Sequence, residues 1–348
     1  MARLRRVDIS GPGIRRRGRG RGFEYFDENG ERIDELETLE RIRELAIPPA
    51  WKDVWISPYP NGHIQAVGVD AAGRKQYRYH QKWRERRDQI KFDKMVEFAH
   101  ALPALREAAA ADVARSGLSR ERVLACAVRL LDRGFFRIGG EEYAEENESY
   151  GLATMQRRHV SLGGGYTITF DYPAKSGKRQ IRSVVDPEVY EVVAELKGRR
   201  RGRELHAYQA DGTWFDVKSD DINAYIKEAT AGDFSAKDFR TWSGTVLAAV
   251  ALAVSGPVAR SRTGRKRAIT RAIQEVAHYL GNTPAVARAS YIDPRVFDRY
   301  LAGMTIGNAL GEIGDVDELG EPAFQGAVEA AVLDLLEDET SPAIEKVA

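Results

Sequence analysis

The hydrophobic residues change period near residue 85, and that change constrains the fold more than any single motif. Before it, short runs alternate with a period of two: DVWISP, GHIQAVGVD and KQYRYH, the last entered through a turn at Ala72-Gly73. Such alternation sends successive side chains to opposite faces of a strand, burying one face and leaving the other to solvent. FEYFDENGERI predicts a hairpin around Asn29-Gly30, a dipeptide that tolerates the positive φ of a tight turn. LETLERIREL sets Leu36, Leu39, Ile42 and Leu45 on one helix face, and Pro48-Pro49 stops that helix. The first 22 residues, with eight Arg, one acid and Gly at 11, 13, 18, 20 and 22, read as a flexible arm.

From Gln81 the period becomes helical. One long stretch runs to about Gly117 and another from Ser119 to about Arg133, with further helices expected over 187–197, 219–230, 235–255, 263–280, 284–291 and 294–301. An island of strands interrupts them: RHVSLGG, YTITFDYPA and KRQIRSVV, separated by glycines 163 to 165 and by Lys175 to Lys178. The pattern predicts an α+β protein. Residues 1–85 form a small β-rich N-terminal domain, and residues 86–304 a mainly α-helical domain with a small antiparallel sheet. Residues 305–348 are left as an acidic C-terminal extension. No repeat recurs at a fixed period.

Charge narrows the function. The formal net charge is +1, but residues 305–348 hold 11 Asp or Glu and one Lys, so residues 1–304 carry a net +11. A basic body points to a polyanionic partner. Affinity for it is expected to fall steeply with salt as counterions are released. If the extension limits nonspecific binding, its deletion should raise nonspecific affinity. No 18-residue stretch is both uncharged and continuously apolar, and the N-terminus lacks the apolar run of a secretory signal, so an intracellular protein is expected. The single cysteine, Cys126 in VLACAVRLL, reads as helix core.

Several chemistries lack their motifs. There is no HExxH or paired CxxC, and the six His are scattered. Ser176-Gly177-Lys178 resembles the end of a phosphate-binding loop, but Tyr172 stands where that loop requires glycine. Neither ATP nor a metal is implied. Basic residues interleaved with aromatic ones are prominent instead: GRKQYRYHQKWRERR brings Arg74, Gln76, Tyr77, Arg78 and Tyr79 together, and residues 239–274 hold seven basic residues and no acid, Arg260 and Arg262 among them. KGRRRGR at 197–203 is a weaker basic run. Phosphates bind such cations, and Gln pairs well with adenine in a major groove. A metal-free phosphoryl-transfer site must neutralise charge with Arg or Lys and supply a nucleophile and an acid. Arg137 in FFRIGG, Lys175 at a strand turn and Arg240 in KDFRTW are the candidates for the cationic roles.

GFFRIGGEEYAEENESYGLATMQRRHV, FDYPAKSGK, AKDFRTW and LGNTPAVARASYIDP stand in the order and at roughly the spacing of type IB DNA topoisomerases of the small viral and bacterial kind. GRKQYRYH and IPPAWKDVWISP resemble that family's N-terminal domain. The resemblance covers about residues 13 to 300, and the acidic extension lies outside it. It implies two lobes closing on double-stranded DNA, relaxation of supercoils of both signs, no cofactor, no membrane, a monomer and a place at the cytoplasmic nucleoid. Tyr291 would attack the phosphodiester and become joined to the 3′ phosphate. Arg137 and Arg240 would hold that phosphate, and Lys175 would protonate the departing 5′ oxygen. Lys237 fits the family's KxxR pattern, Tyr143 a tyrosine on the DNA backbone, and Gln76, Tyr77 and Tyr79 the major-groove contacts. Asn282 departs from the pattern, standing where many members have histidine; it can donate a neutral hydrogen bond but carries no charge. His278, four residues earlier, reads as an ordinary helix residue. The tyrosine recombinases resemble the catalytic lobe too, but usually have His at the position of Lys237. A DNA-binding protein without catalysis would leave the Arg137, Lys175, Arg240 and Tyr291 set inert.

Overall fold

Ile14, Val54, Ile56 and Ala66 meet Ile42 in one buried cluster, and this small core organises the first of two units, Met1–Phe92. The computed structural model describes residues 3–255, 261–311, 325–337 and 344–346. In the first unit β1 (Ile14–Arg19), β2 (Gly22–Phe26), β3 (Lys52–Ile56), β4 (Ile64–Val69) and β5 (Lys75–Tyr79) make an antiparallel sheet in the order β2-β1-β3-β4-β5. The helix α1 (Leu36–Glu44) supplies Ile42. Residues 14–19 of the arginine-rich segment are therefore an interior strand of the sheet, not part of a flexible arm. Arg16 points towards the core side and satisfies its guanidinium on the carbonyls of Pro48 (3.1 Å) and Trp51 (2.5 Å), as a long basic side chain does when its stem is buried. The turn at Asn29-Gly30 forms, but it closes only the single Phe26 to Arg32 bridge. The hairpin partner of β2 is β1, across a two-residue link at Gly20-Arg21.

Register fixes which side chains share a face. Ile14, Ile56, Ala66 and Arg78 lie abreast on the core face, and Arg15, Trp55, Val67 and Tyr77 on the other. Tyr77 and Tyr79 consequently project together, both exposed, with rings stacked at 5.8 Å. Gln76 points the opposite way, its amide donating to Asp70 at 3.0 Å.

The helix α2 (Gln81–Val113) carries the chain into the second unit, Asp93–Ala348. There α3 (Arg120–Gly134) starts at Ser119, whose side chain accepts from Arg122 N, and short α4 (Glu141–Asn147) follows. The strands β6 (Val160–Leu162), β7 (Thr167–Pro173) and β8 (Arg179–Val185) form the expected antiparallel sheet. Next come α5 (Pro187–Gly198), a hairpin of β9 (Ala207–Ala210) and β10 (Thr213–Asp216), and then α6 (Ser219–Thr230). The apolar helix α7 (Ala236–Ser255) buries Phe239, Trp242, Val246 and Leu252 at the centre. After it come α8 (Arg262–Leu280), α9 (Pro284–Ser290), α10 (Pro294–Leu301), β11 (Met304–Thr305), α11 (Gly307–Gly311), α12 (Ala327–Glu337) and β12 (Glu345–Lys346), of which α8, α10, α11, α12 and β11 pack on α7. The fold is α+β, with strands concentrated at the N-terminus and helices after it. Among the described residues no helix is long and apolar enough to cross a membrane.

The C-terminal region is not simply an acidic appendage. Thr305 pairs into a two-stranded sheet, and α12 buries Val328, Ala331, Val332, Leu335 and Leu336. Glu329 accepts from Arg106 (2.6 Å) and from the Trp242 indole (2.7 Å), while Arg106 also binds Asp132 at 2.8 Å. Burial opposes the Arg106 charge, and the two carboxylates more than offset it. Deleting residues 305–348 would thus strip packed helix from α7 as well as acidic charge. The carboxylates at 312–321 and at 338–339 lie outside the described residues, as does Arg260. Glu329→Ala is expected to cost about 2–3 kcal/mol in urea unfolding, because it leaves a largely buried guanidinium half-paired and an indole N–H without an acceptor; Glu329→Gln should recover part of that.

Candidate active site

Four segments far apart in the chain meet at one small cleft, lined in part by Arg137, Tyr172, Lys175, Lys178, Arg182 and Arg240. Five of those six side chains are cationic, and among the described residues no carboxylate lines the cleft. Each arrives by a local structural device.

The first segment leaves α3 through Phe135, whose φ of 55° turns the chain sharply. Phe136 anchors it on Phe170, ring centres 4.8 Å apart. Arg137 follows in an extended stretch held by Leu152 N to Arg137 O (2.8 Å) and Ala153 N to Ile138 O (2.7 Å). The crossing demands glycine: a Cβ on Gly151 would lie 2.4 Å from the Gly139 nitrogen and 2.7 Å from the Arg137 carbonyl oxygen. This accounts for Gly139 of FFRIGG and Gly151 of ESYGL.

Arg240 lies on the buried side of α7, only 4% exposed. Its guanidinium donates to Phe135 O (2.6 Å) and Leu280 O (2.7 Å), while Nε, also buried, has no partner among the described residues. Burial, with Arg137 adding to it, pushes its pKa down to about 10, so it stays a cation at neutral pH.

Tyr291 sits just past α9, whose start is fixed by the Thr283 cap and Pro284. The Arg240 guanidinium carbon is 5.1 Å from its ring centre. Burial pushes the phenol up, but Arg240 and then Arg137 outweigh it and hold the phenol below the ordinary tyrosine value. Its backbone rests on α7: a Cβ at Gly244 would lie 2.5 Å from the Tyr291 carbonyl oxygen. The Thr245 hydroxyl, fully buried, lies 3.5 Å from that oxygen and accepts from Asp293 N at 3.1 Å.

Asn282 occupies the link between α8 and α9, entered through Gly281 with φ 61°. Its Oδ1 accepts from Arg137 Nη2, and its Nδ2 is buried without a partner among the described residues. His278 is exposed on the last turn of α8. Lys175 begins the 3-10 turn between β7 and β8, exposed, on the rim of the same cleft.

The structure thus gathers Arg137, Lys175 and Arg240 at the cleft, with Asn282 bonded to Arg137 and Tyr291 beside Arg240. Lys237 is exposed on the first turn of α7, three residues before Arg240, and Tyr143 is exposed on α4. Gln76, Tyr77 and Tyr79 belong to the first unit, divided between two faces of its sheet. Arg182, Gly244 and Thr245 were not singled out from the sequence. The alternation of KRQIRS was the signal for Arg182, since it puts Gln180 and Arg182 on one face of β8; nothing in the sequence marks the Gly244 contact.

Comparison with known proteins bears on what this arrangement is. Residues 80–308 match the family described as eukaryotic DNA topoisomerase I, catalytic core, and residues 22–70 match the bacterial DNA topoisomerase IB N-terminal domain. The DNA topoisomerase 1B of Acanthamoeba polyphaga mimivirus is 32% identical over 277 residues, 78% of this chain and 81% of the viral protein. DNA topoisomerase 1 of Daucus carota is 25% identical over 157 residues, 45% of this chain and 19% of the plant protein. Its Schizosaccharomyces pombe counterpart is 27% identical over 157 residues, 45% of this chain and 18% of the yeast protein. With one family matching residues 80–308, another matching residues 22–70, and a viral relative matched over 78% of the chain, the chain belongs to the type IB DNA topoisomerase family.

Proposed function

We propose that this topoisomerase relaxes duplex DNA with Tyr291 as nucleophile. The Tyr291 Oη attacks the scissile phosphorus, the bond to the 5′ oxygen breaks, and the 3′ phosphate becomes joined to the tyrosine. Lys175 Nζ gives its proton to the departing 5′ oxygen, and the tyrosyl proton passes to water. Arg137 and Arg240 neutralise the non-bridging oxygens, a task that fixed guanidinium forks perform without further reorganisation. The phosphotyrosyl bond stores the energy of the broken one, so attack by the 5′ hydroxyl reverses the step without ATP. Torsion rotates the cut strand in between, for supercoils of either sign.

The single observation that carries this reading is the pairing of Tyr291 with Arg240, itself a wall of a cleft lined by cations and, among the described residues, by no acid. A phosphate there satisfies charges that the protein leaves unneutralised. Asn282 is read as a hydrogen-bond donor to a phosphate oxygen through its unpartnered Nδ2. Asn282→Ala is expected to slow cleavage roughly tenfold, about the value of one neutral hydrogen bond, and Asn282→His to be tolerated; single-turnover cleavage measures both. Lys237, Tyr143 and the outward pair Tyr77 and Tyr79 are read as DNA contacts. Gln76 joins them after releasing Asp70. All five reacting groups come from one chain, which favours a monomer, and sedimentation during relaxation tests it.

The deciding experiment incubates the protein with negatively and positively supercoiled plasmid, with EDTA and without ATP, and traps adducts with detergent. Relaxation of both with a covalent adduct is expected. An adduct on particular sequences only, without relaxation, would make it a recombinase; binding with neither would leave a DNA-binding protein.

A further inference from the structure

Arg182 is a cation in the cleft to which the cleavage chemistry gives no task. Its Nη2 donates to Tyr279 O (2.6 Å) and to Gln180 Oε1 (3.2 Å). The Gln180 side chain in turn lies against Gly281, where a Cβ would sit 3.1 Å from its Oε1. Tyr279 and Gly281 flank the C-terminal end of α8, where backbone carbonyls lack helical donors and the helix dipole favours a cation. Two same-face side chains of β8 therefore dock the β7–β8 hairpin onto the segment that continues into Asn282. On the other strand, Tyr150 N binds Pro173 O (2.8 Å) and the Ser149 hydroxyl binds Ala174 O (3.1 Å). The tip between these ties carries Lys175, which is exposed.

We propose that Arg182 is a positioning residue: it latches the hairpin to α8 so that Lys175 Nζ reaches the departing 5′ oxygen while Asn282 and Arg137 hold the phosphate. This rests on the reading of Lys175 as the acid. Holding Arg182 there has a cost, since burial first, and Arg137 as well, oppose its charge, and the Tyr172 phenol offsets only part of that.

The test exploits the leaving group. A thiol ionises near pH 8.5, far below an alcohol, so a duplex with a 5′-bridging sulfur at the scissile phosphate needs no acid. Arg182→Met is expected to slow single-turnover cleavage of the ordinary duplex roughly 10- to 100-fold, the scale of a misplaced reacting group, and to cleave the sulfur duplex near the unmodified protein's rate. Gln180→Ala, which removes the other docking side chain but no charge, should show the same rescue from a smaller defect, and it carries the test if Arg182→Met fails to fold. Arg137→Ala, which lacks a phosphate clamp, should stay slow on both substrates. Restoration of Lys175→Ala by sulfur without restoration of the Arg182 and Gln180 variants would overturn the latch alone. A Lys175→Ala protein that gains nothing from sulfur would overturn the acid role of Lys175 and the latch with it.

Discussion

A Tyr291→Phe protein is expected to bind duplex DNA as the unmodified protein does, yet to relax no plasmid and leave no adduct. The substitution removes one oxygen and keeps the ring beside Arg240, with the Tyr291 backbone still seated on Gly244 and Thr245. Fold and DNA contacts should survive. The reaction loses its nucleophile, a loss on the order of 10⁶ in rate where covalent nucleophiles have been removed from other enzymes. The measurement is detergent-trapped adduct and topoisomer distribution side by side, with peptide mapping of any residual adduct. Tyr172 and Tyr279 are the phenols to check, since Tyr172 lines the same cleft and Tyr279 contributes the carbonyl held by Arg182. An adduct that persists on either would displace Tyr291 from the centre of the mechanism.

The helices of the second unit were legible because their signals are local. Pro187, Pro284 and Pro294 open helices just after the caps Asp186, Thr283 and Asp293, and the apolar period of α7 is long enough to leave no other reading. Elements whose burial is partial were harder. β1 was hidden because three successive arginines mask the alternation, although Arg16 alone turns inward, its N–H groups donating to carbonyls rather than to acids. The hairpin β9–β10 has an Asp211-Gly212 turn with both residues at positive φ, but only Ala207 of its strands is buried, so almost no alternation shows. α12 was lost to averaging: Val328, Ala331, Val332, Leu335 and Leu336 keep a helical period, yet the charge of residues 305–348 taken together drew attention to the acids.

The candidate site divides the same way. Residue types suited to phosphoryl transfer could be picked from the sequence, but their convergence could not. Arg137 and Asn282 stand 145 positions apart and share a hydrogen bond, and only the resemblance to a family, carried by four motifs in order, joined them. What the resemblance left out is what acts through other residues. Gly244 leaves room for the Tyr291 carbonyl, and Arg182 answers a helix end. Neither contact has a motif, because each depends on which surfaces the tertiary fold brings together.

Arg240→Ala should slow cleavage by about 10²–10³, the usual consequence of deleting one preorganised donor to a developing oxyanion, and should also move the pH profile. Two effects are expected to coincide because the proposed reaction gives this guanidinium both the phosphate and Tyr291, beside whose ring it stands. Among the charges acting on Tyr291, Arg240 exerts the largest downward pull, followed by Arg137, against the upward push of burial. With Arg240 present, the phenolate forms below the ordinary tyrosine value of about 10; without it, burial is opposed by Arg137 alone and ionisation moves to higher pH. Single-turnover cleavage should therefore rise with pH in both proteins, with its midpoint at higher pH in the variant. Arg240→Lys keeps a charge but not the fork that reaches the Phe135 and Leu280 carbonyls together, so it should recover part of the pH shift and little of the rate. A rate loss without a shift would confine Arg240 to the phosphate, whereas a shift that accounts for the whole loss at neutral pH would make activation of Tyr291 its principal task.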